Sequence, residues 1–209
     1  MKGIKMRRIA ILIGVLALMC VMLVSCGGSD GEAPDGMKQA SSSSFYTLFV
    51  PDSWQVNQST ESVASAQPSS AERTNVSVMY WQKSSDCSTH EQFLAEYKAQ
   101  LEQAFSSVKF LQEGAKSELG LRYPSKDTNG NDISPYDAKD YVYVAKMGKL
   151  WYKYHVSVAL DRGVFYVVTY TFMQDNPETV YETADEVTFG SYDSYRSTIT
   201  DISSAFKIK

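Results

Sequence analysis

Little in this chain can hold a metal or brace the fold covalently. Its 209 residues include only three cysteines and two histidines, and no zinc-like Cys/His spacing occurs. There is no glycine-rich phosphate loop and no Gly-x-Ser-x-Gly elbow. Basic residues are outnumbered, with 20 Lys and Arg against 24 Asp and Glu, a formal charge of −4 and a pI of about 5.2. That balance argues against nucleic acid as a partner. A composition 44% hydrophobic and 21% charged is that of a globular chain, neither disordered nor multi-span.

Two further absences divide the chain. Residues 9–24 carry no charge, and residues 1–44 contain no aromatic. Lys2, Lys5, Arg7 and Arg8 precede the uncharged run, which gives the basic-then-apolar order of an export signal. The run has 16 residues. As a helix it would measure about 24 Å, short of the roughly 30 Å hydrocarbon core.

Leu23-Val24-Ser25-Cys26 follows and resembles a bacterial lipobox. The small side chain of Ser25 admits a signal peptidase to the bond before Cys26. The Cys26 thiol is the nucleophile that takes a diacylglyceryl thioether. The expectation is a signal peptide over 1–25, cleavage between Ser25 and Cys26, and attachment to the membrane through lipid on Cys26. Cleavage removes four basic side chains and no acid, leaving 16 basic and 24 acidic, a net of −8. An acidic protein gains nothing from an anionic bilayer, so attachment has to come from the lipid, at about 0.8 kcal/mol per buried methylene.

Residues 26–44 are rich in Gly, Ser, Asp and Pro and offer almost nothing to bury, so they read as a disordered tether. All 26 aromatics lie beyond Ser44, which places the domain over 45–209. A chain of this size buries about 70% of its unfolded surface and needs no disulfide or metal to fold. Cys87 is the single cysteine inside it, which excludes an internal disulfide.

Within the domain, 45–50 and 75–81 read as strands, with one weak strand and a loop over 57–74. Ser88-Thr89-His90-Glu91 reads as a capping box with Ser88 as N-cap. It opens a helix whose apolar side carries Leu94, Tyr97, Leu101, Ala104 and Phe105. Residues 108–111 and 116–123 are strand candidates interrupted at Gly114, and 124–139 reads as a polar loop. Three consecutive antiparallel strands follow over 141–146, 150–160 and 164–172, turned at Gly148 and at Asp161-Arg162-Gly163. In the middle one, Tyr152, Tyr154, Val156 and Val158 share a face, and Trp151, Lys153, His155 and Ser157 share the other. Residues 173–189 form a long acidic connection with a helical turn expected after Pro177. Tyr192, Tyr195, Ile199, Ile202 and Phe206 are spaced 3, 4, 3, 4, as on a helix packed against a sheet. Runs of neighbouring strands between helices give an α+β fold with an antiparallel sheet.

Three segments resemble the PsbP-like family, whose fold is shared by the Ran-binding Mog-type proteins. They are Tyr46-Thr-Leu-Phe-Val-Pro51-Asp-Ser-Trp54, Asn75-Val-Ser-Val-Met79 leading to the helix with Phe93, and the ending Ile202-Ser-Ser-Ala-Phe206-Lys-Ile-Lys209. Ala205 stands where that family tends to have serine. The resemblance implies an antiparallel sheet packed between helices. It implies no active site, since members are mainly binding and assembly factors.

The residues themselves offer little chemistry. His90 reads as an exposed first-turn residue, and His155 as facing solvent or a polar contact. Ser106-x-x-Lys109 and Ser204-x-x-Lys207 are chance matches in a serine-rich chain, without companion motifs. Asp127, Asn129 and Asn131 begin a calcium-loop spacing, but Asp132 and Ala138 stand where Gly and Glu are needed. Asp185 and Glu186 would be a carboxylate pair only with another acid across a cleft. Trp54, Trp81 and Trp151 read as core or rim anchors. No catalytic, cofactor or metal residue is assigned. The expectation is a non-catalytic interaction or assembly module on the extracytoplasmic face, docking an unidentified envelope protein through the loops 57–74, 124–139 and 173–190. The alternative is an envelope hydrolase or transferase acting on wall or lipid substrates.

The anchor is testable by fractionation. Wild type is expected in the membrane, and Cys26→Ala soluble or unprocessed. A Cys26→Ala protein that stays as firmly membrane-bound as wild type through detergent-free washes would show that the lipid is not what holds it.

Overall fold

The computed structural model describes residues 33–69, 73–82, 87–116, 121 and 137–209. Ser25, Cys26 and the cleavage site lie outside these residues, as do Asp127, Asn129, Asn131 and Asp132 of the calcium-like spacing.

Seven strands make the main sheet: β4 (Gln55–Ser59), β5 (Val63–Gln67), β6 (Asn75–Gln82), β7 (Ser107–Lys116), β8 (Asp137–Met147), β9 (Leu150–Asp161) and β10 (Val164–Met173). Their spatial order is β4-β5-β6-β10-β9-β8-β7, and every pairing is antiparallel. The α+β class expected from the sequence is the architecture found. The turns read from the sequence set the register. Arg162 and Gly163 both have positive φ, 45° and 81°, as a two-residue type I′ hairpin requires. Met147 therefore faces Leu150 across one turn, and Asp161 faces Val164 across the other.

Both faces of the sheet are apolar and both are covered. Helix α1 (His90–Ala104) lies on one face, where Phe93, Tyr97 and Leu101 pack on Tyr143, Tyr154, Val156 and Phe165. Helices α2 (Gly190–Ser194) and α3 (Arg196–Ala205) lie on the other, with Ile199, Ile202 and Phe206 on Val168 and Tyr170. The single amphipathic helix read from the 3-4 spacing is thus two, broken at Tyr195 (φ −93°, ψ 3°). The apolar stripe runs through the break, so the burial pattern survives it.

The N-cap of α1 is Thr89, not Ser88, and its box partner is Gln92 rather than Glu91. Gln92 N–H donates to Thr89 Oγ1 at 3.3 Å, and Thr89 N–H donates to Gln92 Oε1 at 3.2 Å. Ser88 N–H also reaches Gln92 Oε1, at 2.7 Å, so the glutamine gathers donors from both residues. Residues 57–74 hold most of the hairpin β4–β5 rather than one weak strand. β7 is one strand through Gly114, which sits at φ 68° beside a bulge.

The fold begins earlier than Phe45. β1 (Met37–Gln39) pairs with β3 (Phe49–Pro51), and Ala40, Ser41 and Ser43 are buried. Residues 37–44 thus belong to the folded unit, not to a disordered tether. They hold because backbone pairing and the Ser41 hydroxyl, which accepts from Leu48 N–H at 2.9 Å, stand in for apolar burial. The strand expected over 45–50 is split: β2 (Tyr46–Thr47) pairs with β11 (Lys207–Ile208), bringing the C-terminus back to the start of the fold.

Ile199 is fully buried beneath α3. Ile199→Asp places a carboxylate there and should cost several kcal/mol, against a total of about 5–15 kcal/mol for a domain. Thermal melting of a soluble form starting after Cys26 measures this. A variant melting within a degree or two of the parent would show that α3 is not docked on the sheet.

Candidate functional site

The sequence singled out two histidines, and both are buried. His90 is on the same helical stripe as Phe93, Tyr97 and Leu101, at spacings of 3, 4 and 4, and its ring meets Phe165 edge-on at 6.2 Å. It was expected exposed because the stripe was started at Leu94, one position off its centre. His155 is 5% exposed and does not face solvent. Helix α2 covers that face of β9.

His155 is the middle of a buried polar chain. Its Nε2 lies 3.1 Å from Asp140 Oδ2, and its Nδ1 lies 3.1 Å from Tyr192 Oη. Ser157 Oγ donates to Asp140 Oδ1 at 2.5 Å. These are the residue types of a serine relay in the wrong order. A relay needs the serine hydroxyl on the imidazole, whereas here it binds the acid. The chain reads instead as a structural network that satisfies a wholly buried carboxylate. Sequence reasoning missed Asp140, which falls between the loop read over 124–139 and the strand read over 141–146. The signal was in the turn: once Met147 faces Leu150, Asp140 must face Ser157.

Other candidates are also accounted for. Ser106 Oγ donates to the Lys146 carbonyl at 3.2 Å, and Lys109 pairs with Asp185, so Ser106 and Lys109 do not meet. Glu186 accepts from Glu182 and Thr183 N–H at 3.1 and 3.3 Å, capping a 3-10 turn over Ala184–Glu186. That turn is the helical piece of the connection, which falls later than Pro177. Burial, with Glu96 nearby, pushes the Cys87 thiol up to about 11, so at neutral pH it is protonated and a poor nucleophile. Trp54 and Trp151 are core residues, and Trp81 packs on Phe93 at 5.4 Å.

The surface feature with the makings of a site is a concavity of about 390 Å³ at the β7 end of the sheet. Lys109 and Leu111 of β7, Val144 of β8 and Lys153 of β9 form its floor. The connection after β10 forms its wall, from Asp175, Ala184, Asp185 and residues 187–190, with Asp193 of α2 at the corner. Of the three loops expected to carry function, 173–190 is the one that lines it. The described residues of 57–74 do not line it, and 70–72 and 122–136 lie outside the described residues.

This wall is held by the sheet. Trp151 N–H donates to Gln174 Oε1 at 2.7 Å, and Gln174 Nε2 donates to the carbonyls of Asn176 and Thr179 at 2.7 and 2.8 Å. Lys146 Nζ donates to the Tyr181 carbonyl at 2.8 Å. Gly190 N–H donates to Asp175 Oδ1 at 2.7 Å. On the floor, Lys153 Nζ sits 3.6 Å from the centre of the Tyr192 ring. Burial lowers the pKa of Lys153; Asp193 opposes the shift and Arg196 adds to it. Neither histidine lines the concavity. Among the described residues no group of three or more His, Cys, Asp or Glu is placed to hold a metal, and no helix is long and apolar enough to cross a membrane.

No family model matches the sequence, and no curated protein matches it. Solved structures with a similar arrangement do exist. Cyanobacterial PsbP from Synechocystis sp. PCC 6803 is 17% identical over 90% of this chain and 99% of that one, with a TM-score of 0.46. The Ran-binding protein Mog1p of Saccharomyces cerevisiae is 10% identical over 81% and 94%, with a TM-score of 0.45. LpqN, involved in cell envelope biogenesis of Mycobacterium tuberculosis, is 10% identical over 83% and 90%, with a TM-score of 0.46. A structure from Bacteroides thetaiotaomicron is longer, and this chain spans 45% of it. The likeness concerns the arrangement of strands and helices, and no residue role is taken from it.

The buried chain yields a prediction. Asp140→Ala strands the Ser157 hydroxyl and the His155 ring in the core and should cost about 3–5 kcal/mol. Asp140→Asn keeps an acceptor and should cost less. Equal losses for the two variants in denaturant titration would show that the acceptor at residue 140 is not what the network needs.

Proposed function

We propose that the chain is an envelope lipoprotein, cleaved between Ser25 and Cys26 and anchored by lipid on Cys26 at the extracytoplasmic face of the membrane. Its domain is a non-catalytic interaction module, and the concavity beside β7 is where it meets an envelope protein. The lipobox supports the anchor. The linkage is shorter than the aromatic boundary suggested: ten residues separate Cys26 from Met37, spanning at most about 36 Å. The domain therefore works close to the bilayer.

The observation that carries the module reading is the lining of the concavity. Its described residues are lysines, aspartates, one threonine and apolar side chains, with no serine, cysteine or histidine. A hydrolase built on His155 needs that imidazole in a pocket. His155 does have a carboxylate neighbour, but it is shut beneath Tyr192 and away from the concavity.

A photo-crosslinking residue at exposed Leu111, which lines the concavity, is expected to give a discrete adduct with an envelope protein in cells. The same residue at Val56, on the opposite edge strand β4, is expected to give none. Equal labelling at both positions would count against the concavity. Turnover of an envelope substrate that is lost in His155→Ala would overturn the module reading in favour of the hydrolase.

A further inference from the structure

We infer that the concavity binds a short peptide with free ends, its carboxylate on the Lys153 ammonium and its ammonium between Asp175 and Asp193. The inference rests on the reading of the concavity as the domain's binding site and adds a small ligand that would share that site with the envelope protein.

Lys153 is the starting point. Its ammonium is half-buried against Tyr192, yet among the described residues no carboxylate makes an ion pair with it and no acceptor takes its hydrogen bonds. A half-buried ammonium without a protein acceptor gains by meeting an anion. The ring beneath it satisfies one side of the charge and leaves its N–H donors directed elsewhere.

The surrounding charges decide which anion. Two lysines line the concavity against three aspartates. Asp185 is neutralised by Lys109 across the floor. Asp175 spends one oxygen on Gly190 N–H and keeps the other. Asp193 has no hydrogen-bond donor among the described residues and influences Lys153 only at a distance. A simple anion entering here meets Lys153 but also two uncompensated carboxylates. A simple cation meets those carboxylates but also Lys153. A zwitterion satisfies both signs at once.

Shape and polarity narrow the class further. A volume of about 390 Å³ lies in the range of roughly 300–1,000 Å³ typical of small-ligand sites. Leu111, Val187 and Phe189 supply an apolar strip for a side chain between the charged ends. Leu111 is 52% exposed, an apolar surface with something to gain from being covered. Because the hydrogen bonds of Gln174 and Lys146 fix the wall, little ordering is required on binding.

The test uses the full-length protein purified in detergent and titrated with the tripeptide Ala-Leu-Ala carrying free ends. Saturable one-to-one binding is expected, with amide shifts at residues 109–111, 153 and 187–193. Lys153→Met keeps the apolar stem over Tyr192, and it should weaken binding by about tenfold or more. N-acetylation of the tripeptide should weaken it to a similar degree, and sodium acetate should compete poorly. If Lys153→Met does not fold, Asp193→Asn serves instead: it should weaken the free tripeptide and leave the acetylated one unchanged. No saturable binding up to about 10 mM, acetate binding as tightly as the tripeptide, or indifference to both variants overturns the inference. A protein that gives the Leu111 adduct in cells but fails these titrations keeps the module reading and loses this one.

Discussion

Strands β9 and β10 lie at the centre of a sheet whose two faces are both apolar, and neither face can be left to water. Tyr154, Val156 and Val158 look one way, while Tyr170, Val168 and Phe172 look the other. At about 25 cal/mol per Å² of apolar surface, that demand outweighs any single polar contact in the molecule. It explains why a helix lies on each side. The C-terminal strand β11 also returns to β2, close to the β1–β3 pair that opens the described fold. The cover runs short toward β7. There the connection between β10 and α2 crosses the sheet without filling the space above Lys109, Val144 and Lys153, and the concavity is what remains.

Covering a sheet with helices does not remove its polar groups. Asp140, His155 and Ser157 lie on the face beneath α2, and they are tolerated because they satisfy one another and Tyr192. Tyr170 and Ser203 do the same between β10 and α3, at 2.5 Å. The exposed edge is protected differently. Two bulges interrupt β7, and Lys98 of α1 pairs with its Glu113 at 2.6 Å. Irregular, charged edge strands resist pairing with other chains, which disfavours strand addition at this edge.

Much of this was legible because sheets announce themselves by alternation and by turn residues. Gly148 and Asp161-Arg162-Gly163 marked the two hairpins, and the faces of β9 were assigned correctly from Tyr152 to Val158. The last helix was legible from its 3-4 spacing, though not its break at Tyr195, because the buried stripe is continuous across it. What was not legible depends on distant pairing. Met37-Lys38-Gln39 contains one apolar residue and became a strand through β3, not through its own pattern. His155 read as facing solvent or a polar contact, and the structure gives it the polar contact, with Asp140 and Tyr192, because α2 covers that part of β9. Nothing in β9 itself reports the cover. The concavity was legible in one wall, the 173–190 connection. Its floor depended on how far α2 and α3 reach across the sheet.

The central claim is that this uncovered end of the sheet is the working surface of a membrane-held domain. Hydrogen exchange of the protein in its own membranes, compared with the detergent-purified protein, tests it most directly. The account predicts added protection in membranes confined to residues 107–111 and 184–193, with β4 and β5 unchanged. Equal exchange in both states, or protection appearing at β4 instead, would contradict it.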